Sequence, residues 1–383
     1  MAFRPALRRV VRQAPFLIIA LVLAACGRDY PQSTLSPHSD ITRMIDGVFM
    51  NTVWWALGVF ILVEGALVWA IFRFRGKPDD PEPRQTHGNT TIEIIWTAIP
   101  ALILAMISVP TVRAIFRTYE EPSGAEVVRV NVKGHQWWWE FSYPQYGVTS
   151  ANELHVPVGK TVFLEMDAFD VIHSFWMPQL GAKRDVFPNR KTTLWFRADS
   201  AGFYPGQCAE FCGTQHGRMA FHVAAETPAE FDAYIKGLQA TGGPAAAPAG
   251  ADTSKRAADS TRRTATATPT APVTTTALAA QTPPAAAGPD TLAGSKLFAA
   301  KACTSCHSLN AVKFSKALIG PNLANVGARR YIAAGTLLNT DENLAHWIQH
   351  PWSVKHGVLM PELGLSDADA RTLAAYLRTH TGK

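Results

Sequence analysis

The sequence predicts a multidomain chain in which a two-helix transmembrane hairpin precedes an all-β sandwich or Greek-key domain and, after a low-complexity stretch, a small all-α domain. Two apolar segments, roughly 48–72 and 92–116, are each long enough to cross ~30 Å of hydrocarbon at ~1.5 Å per residue. From about Glu126, short runs such as VVRVNVKG, HQWWWEFSY, TVFLEMDA, KTTLWFRA and MAFHVAA alternate branched or aromatic residues with polar ones between Gly, Pro and Asn turns, which is the pattern of half-buried strands. Near the C-terminus GSKLFAAKAC, DENLAHWIQH and DADARTLAAYLRTH return to helical periodicity, with Ser366 placed as an N-cap.

A chain of 383 residues exceeds one typical domain. A mean hydropathy of +0.01, 11 Trp and 17% charged residues suit membrane segments joined to soluble units better than one uniform globule. The net charge of +6 is diffuse, and no Lys/Arg run is interleaved with stacking aromatics, which argues against nucleic acid as a partner. The five cysteines partition into Cys26, the pair Cys208 and Cys212, and the pair Cys303 and Cys306, leaving none for a separate structural disulfide.

At the N-terminus, Arg4, Arg8, Arg9 and Arg12 precede an apolar run from Phe16 to Leu23 and the small Ala24 and Ala25, so residues 1–25 read as a signal peptide. The closing LAAC resembles a bacterial lipobox, which makes Cys26 the candidate lipid anchor and first mature residue. An uncleaved first membrane helix is the alternative, against which the run is shorter than the ~20 residues a span needs. Residues 26–120 then hold an N-terminal segment and the hairpin. Its connecting loop carries Arg73, Arg75, Lys77 and Arg84; short basic loops stay cytoplasmic, so both hairpin ends face outward. Trp54, Trp55, Trp69 and Trp96 lie toward the segment ends, at headgroup level. Glu64 and Glu93 stand inside or at the edge of the spans, where an ionisable group is costly and faces protein or water.

The β-rich domain, residues 125–225, contains GQCAEFCGTQHGRM from Gly206 to Met219. Its C-x3-C pair, a histidine four residues on and a methionine three further put two thiolates, an imidazole and a thioether on one loop. That soft donor set favours copper. A mononuclear blue-copper site uses one Cys, so this loop has one too many, and two thiolates can bridge two coppers. A Cys208–Cys212 disulfide, which an exported domain permits, and a zinc site, which seldom uses Met, are the alternatives. In the GHQWWW segment, Trp137 and Trp139 would share one strand face and Trp138 the other.

Residues 241–289 are Ala, Thr, Pro and Gly with almost no large apolar side chain and cannot bury a core. They read as a flexible tether with a mean end separation of ~40 Å. The domain at 291–383 carries Cys303, Cys306 and His307 as C-x-x-C-H, the c-type haem attachment signature, against which a redox dithiol or zinc knuckle is the alternative. Met360 is the methionine of this region and the expected sixth iron ligand, a pairing that raises haem potential. His346, His350 and His356 compete for that role.

Cys208, Glu210, Cys212, His216 and Met219, with His173 in DVIHSFWMP, resemble the binuclear copper A site of cytochrome c oxidase subunit II. The resemblance implies a cupredoxin fold, two Cys bridging two coppers, His173 and His216 capping one copper each, Met219 as a weak ligand and Glu210 contributing its carbonyl. The Glu210 carboxylate would then bind a magnesium ion shared with subunit I. GHQW resembles the family's aromatic patch, so Trp137 is the expected electron-receiving residue. The family has Tyr where Trp138 stands, which leaves that side chain's role open; Trp138 and Trp139 are expected to pack in the core. EIIWTAIPA resembles the segment whose glutamate opens a proton path into subunit I, here Glu93. IGPNL resembles the class I cytochrome c loop that packs on the proximal histidine.

From Cys26 onward the chain resembles a subunit II fused to a class I cytochrome c, the caa-type arrangement. This implies one haem c attached through Cys303 and Cys306 with His307 and Met360 as axial ligands. Electrons would pass from it to the copper pair and on to subunit I, where oxygen is reduced to water and protons are pumped. No residue of this chain would be catalytic itself. The implied partners are subunits I and III, the membrane, and a soluble cytochrome c or another upstream donor. The implied place is the bacterial cytoplasmic membrane, with both metal-binding domains on the periplasmic side. A membrane-tethered copper-delivery protein and a quinol oxidase subunit are rivals; the haem signature speaks against the first and the copper ligands against the second.

Overall fold

The computed structural model describes residues 30–76, 85, 88–124, 126–242, 291–312 and 319–382. Cys26 and the expected signal peptide, Lys77 and Arg84 of the basic loop, and the stretch 243–289 lie outside them. Helix α1 (Asp40–Arg73) starts from a capping box between Ser39 and Thr42, earlier than the expected start near residue 48. At 34 residues it is about 51 Å long, more than a bilayer core requires. The extra turns belong to the outer domain: Ser39 Oγ donates to Leu180 O at 2.6 Å, Thr42 Oγ1 to Gln179 O at 3.0 Å, and Arg197 N to Asp40 Oδ1 at 2.9 Å. Arg43 pairs with Asp199. The apolar periodicity begins later because this first turn packs on protein.

Helix α2 (Thr90–Tyr119) is capped by Asn89 and contains Pro100 and Pro110. Its far end returns to the same domain, where the Arg184 guanidinium donates to Tyr119 Oη at 2.9 Å and the Arg117 guanidinium lies over Trp195. Between these attachments both helices are apolar and exposed, with none of α2 buried. That is how two membrane spans look without lipid.

Ten strands follow: β1 (Val128–His135), β2 (Trp138–Tyr143), β3 (Val148–Ala151), β4 (Glu153–Pro157), β5 (Val162–Ala168), β6 (His173–Trp176), β7 (Arg184–Val186), β8 (Thr192–Phe196), β9 (Gly202–Cys208) and β10 (Ala220–Glu226). They form two five-stranded sheets, β3-β2-β1-β5-β8 and β4-β10-β9-β6-β7. Alternate residues, among them Val130, Val132, Phe141, Leu164, Phe175 and Phe221, fill the space between the sheets. This is the cupredoxin-like sandwich.

Tyr143 closes one corner, donating to His155 O at 3.0 Å and accepting from His155 N at 2.9 Å. Helix α3 (Pro228–Ala240) then covers the core with Phe231, Ile235 and Leu238. It was not among the expected elements, although its Thr227–Glu230 capping box and a Pro at the first turn are legible start signals.

The C-terminal domain comprises α4 (Thr291–Ala300), the short pair β11 (Tyr331–Ile332) and β12 (Leu337–Leu338), α5 (Asp341–Gln349), α6 (Pro351–Val354) and α7 (Asp367–Arg378). Ser366 caps α7 through Asp369 N. Phe298, Leu344, Ile348, Leu373 and Leu377 form its core. This domain lies against the sandwich. Thr149 N donates to Ala311 O at 2.9 Å and Ala220 N to Ala334 O at 3.1 Å. Arg330 N and Tyr331 N both donate to Glu153 Oε1, and Tyr331 stacks on His222 with centroids 4.4 Å apart. Gly335, at φ +79°, leaves no room for a Cβ beside Ala220.

Replacing Tyr143 by Phe would leave the half-buried His155 N–H and C=O without their partner, which costs about 1–3 kcal/mol. The expected outcome in urea unfolding followed by tryptophan fluorescence is a lower midpoint with an unchanged slope.

Candidate metal and haem sites

The loop between β9 and β10 is closed at its base by Cys208 N donating to Met219 O at 3.0 Å. It is tied to the neighbouring strand by Ala209 N donating to Ser174 O at 2.9 Å. His173 is the first residue of β6, and β6 pairs with β9 through Phe175 and Cys208. A strand end is a stiffer mount than a loop. These bonds bring the sequence-predicted donors together.

Cys208 Sγ lies 3.8 Å from Cys212 Sγ, 3.9 Å from His173 Nδ1 and 3.3 Å from Glu210 O. Cys212 Sγ lies 3.8 Å from His216 Nδ1 and 3.8 Å from Met219 Sδ. The two sulfurs are not bonded; a disulfide would hold them at about 2.05 Å. His173, Cys208 and Cys212 place one donor atom each within 4.8 Å of the others. Two sulfurs shared between two imidazoles, with a thioether and a carbonyl at the ends, suit a pair of copper ions better than one closed tetrahedral zinc.

Protonation favours a cation here. The adjoining Cys212 thiol, with His173 behind it, holds Cys208 far below the usual thiol range, and the same hydrogen bond to Cys208, together with burial and the charge on Cys208, pushes Cys212 far above it. Metal binding would resolve that conflict by taking both sulfurs as thiolates.

Asp170 supports this centre and was not among the expected residues. Its carboxylate accepts from Gln136 N at 2.7 Å, Val171 N at 2.7 Å and His173 Nε2 at 2.9 Å. Because an ionised carboxylate only accepts, the His173 proton sits on Nε2 and the Nδ1 lone pair faces the sulfurs. Burial alone would lower His173 and raise Asp170; their hydrogen bond reverses both, leaving His173 above and Asp170 below its ordinary value. A carboxyl residue three positions before a ligand His is the signal that could have found it.

Trp137 is buried, and its Nε1 donates to Cys212 O at 3.0 Å, beside Gln136 Nε2 at 2.8 Å. Trp139 packs in the sandwich core against Phe175 and Phe221, as expected. Trp138 does not. It stacks on His135 at 4.1 Å, and its Nε1 donates to Ile319 O of the C-terminal domain at 3.3 Å. The alternation of β2 turns it away from the core, and the neighbouring domain buries it.

In the C-terminal domain, Cys303, Cys306, His307 and Met360 line one largely apolar cavity of about 340 Å³, whose rim includes Trp137 and Trp138. His307 Nδ1 bonds Pro321 O at 2.8 Å, so a carbonyl takes that proton and Nε2 is left to face an iron. Gly320 passes so close to the ring that a Cβ would overlap it. Burial keeps His307 neutral, lowering its pKa. His346, His350 and His356 do not line the cavity. Two cysteines, a neutral imidazole and a thioether in one apolar cleft fit a haem. Glu93 sits in the exposed first turn of α2, apart from both sites.

Three family models match the chain: cytochrome c oxidase subunit II, transmembrane domain, over residues 31–114; cytochrome c oxidase subunit II, periplasmic domain, over 147–226; and cytochrome c over 292–381. Cytochrome c oxidase subunit 2 of Alkalihalophilus pseudofirmus is 34% identical over 377 residues, covering 96% of each chain. That of Bacillus sp. (strain PS3) is 31% identical, covering 89% of this chain and 88% of its own. The crystal structure of the periplasmic domain of subunit II of cytochrome oxidase from Bradyrhizobium japonicum is 30% identical, covering 30% of this chain and 93% of that one with a TM-score of 0.29.

Asp170→Asn would put an amide N–H where His173 Nε2 or a backbone N–H must donate. Loss of such a supporting acceptor lowers metal affinity by about 10–100-fold, and competition against a copper chelator is the measurement that checks it.

Proposed function

Since this chain belongs to the cytochrome c oxidase subunit II family and ends in a cytochrome c domain, making it a membrane-anchored subunit of that oxidase with an outer domain, we propose that it receives electrons on a covalently bound haem and delivers them through a binuclear copper centre to subunit I. The periplasmic family domain implies copper A, and the cytochrome c domain implies haem. The observation that carries this reading is the convergence of both donor sets, with Trp137 on the rim of the haem cavity and bonded to Cys212 O.

In this reading Cys208, Cys212, His173, His216, Met219 and the Glu210 carbonyl would hold the two coppers, the two thiolates being shared and one imidazole serving each ion. Cys303 and Cys306 would hold the haem covalently, and His307 and Met360 would ligate its iron. Bound in this way, the groups supply one-electron transfer without bond chemistry. The chain's own residues set the geometry: Asp170 orients His173, Pro321 orients His307, and Trp137 joins the copper loop to the haem cleft.

Subunit I would perform oxygen reduction to water and proton pumping, with subunit III as a further partner. Phe169, Ile172 and Phe211 stand exposed around the copper loop, an apolar rim of the kind that marks a protein contact, and we assign it to subunit I. There the Glu210 carboxylate would share a magnesium ion, and Glu93 would serve proton uptake. Cys26 is the proposed lipid anchor, and a soluble cytochrome c or another upstream donor would reduce the haem. The cell compartment is the bacterial cytoplasmic membrane, with both domains on its periplasmic side.

Metal analysis of the purified chain is expected to give about two coppers per protein with a mixed-valence signal, as two bridging thiolates require; one copper with a mononuclear four-line electron spin resonance spectrum would reject the pair.

Met360→Ala should leave the haem attached, because attachment and axial ligation are separate chemistry, and lower its midpoint potential. Redox titration of the variant, with loss of the sulfur-to-iron band, checks this.

A further inference from the structure

Neither donor set uses Lys355, yet it is 2% exposed. Its Nζ donates to the carbonyl oxygens of Arg218 at 2.8 Å, Trp137 at 3.3 Å and Ala333 at 3.4 Å. Burying an ammonium is unfavourable unless its donors are satisfied, and three carbonyls match the three N–H bonds of a lysine. An apolar side chain could fill the same volume without that penalty. The presence of lysine therefore points to the groups it joins.

Those carbonyls come from separate segments. Trp137 lies in the turn between β1 and β2, Arg218 is the residue before Met219, and Ala333 belongs to the β11–β12 turn of the haem domain. The contact is reinforced on either side of Lys355: the Arg218 guanidinium donates to Val354 O and the Gln215 amide to His356 O. The same segment reaches Met360, whose carbonyl accepts from Trp352 Nε1 at 3.1 Å. One short stretch thus connects the iron-ligand side of the haem domain with the copper-ligand loop.

We propose that Lys355 is the positioning residue for electron passage between the two domains, fixing the Met360 segment against the Cys212–Met219 loop with Trp137 between them. This rests on the cofactor reading above. The transfer it would serve is of one electron, the haem being oxidised and the copper pair reduced by the same electron, with no bond broken and no proton moved. Lys355 touches neither cofactor. It acts through the Trp137 and Arg218 carbonyls, and without its ammonium three oxygens would converge on a space holding no donor and turn apart.

The test uses the holo-protein with Lys355→Met, following transfer from flash-reduced haem to copper. The expected result is a rate lower by at least about tenfold, as lost orientation gives, with haem potential and copper spectrum unchanged and partial recovery in Lys355→Arg. An unchanged rate with both signatures intact would overturn the proposal alone. A slower rate accompanied by a shifted potential or an altered copper spectrum would also overturn it, in favour of a structural role. Absence of either cofactor signature in the unsubstituted chain would overturn the cofactor reading and this proposal with it. A second measurement needs no variant: in the unsubstituted holo-protein, Lys355 should resist an amine-acylating reagent that modifies the exposed Lys296. Equal labelling of the two would overturn the clamp.

Discussion

Two buried sulfur atoms held 3.8 Å apart without a bond are the constraint on which the rest of the outer structure depends. Left to a free peptide, a C-x3-C pair in an oxidising compartment would close to a disulfide or separate as its charges repelled. Here the backbone prevents both. Cys208 N to Met219 O shuts the loop, Ala209 N to Ser174 O ties it to the strand that begins with His173, and two donors from Gln136 and Trp137 meet Cys212 O. The sandwich contributes rigidity, so that donor atoms from distant positions need no rearrangement to meet a metal.

The C-terminal domain extends the same principle to a second centre. Its interface with the sandwich combines apolar packing of Ala311, Ala324 and Ala334 with directional bonds to backbone groups: Thr149 N to Ala311 O, Ala220 N to Ala334 O, and Arg330 N and Tyr331 N to Glu153 Oε1. Separate proteins meeting through such a surface would face a large loss of translational and rotational freedom. Two domains of one chain meet intramolecularly, at an effective concentration set by their connection. The directional bonds then define one orientation. In that orientation the indoles of Trp137 and Trp138 form part of the haem cleft.

The hairpin connects this assembly to the membrane at two points. Ser39, Asp40 and Thr42 lock the start of α1 into the sandwich, while Arg117 and Tyr119 attach the end of α2 to Trp195 and Arg184. A domain held by both ends of a hairpin is limited in how it can rotate over the bilayer, so the direction in which the copper loop faces follows from helix length and cap position.

Much of the chemistry was legible in residue order, because spacing within one loop is local information. C-x3-C-x3-H-x2-M and C-x-x-C-H each name their ligands within a few residues, and the apolar runs and alternating strands announce spans and sheets by period alone. Residues whose meaning depends on contacts far along the chain were not legible. Trp138 reads as a core residue until the haem domain covers it, Asp170 as a turn carboxylate until it meets His173 and Gln136, and the first turn of α1 as a polar lead-in until Leu180 and Gln179 accept from it. Lys355 is the extreme case, a lysine whose three partners lie 218, 137 and 22 residues away in sequence. Residue order alone specifies which atoms could bind metals and which segments could enter a membrane, since both follow from side-chain chemistry and local period. Which surfaces the two domains share emerges only on folding, because that depends on where backbone carbonyls converge in three dimensions.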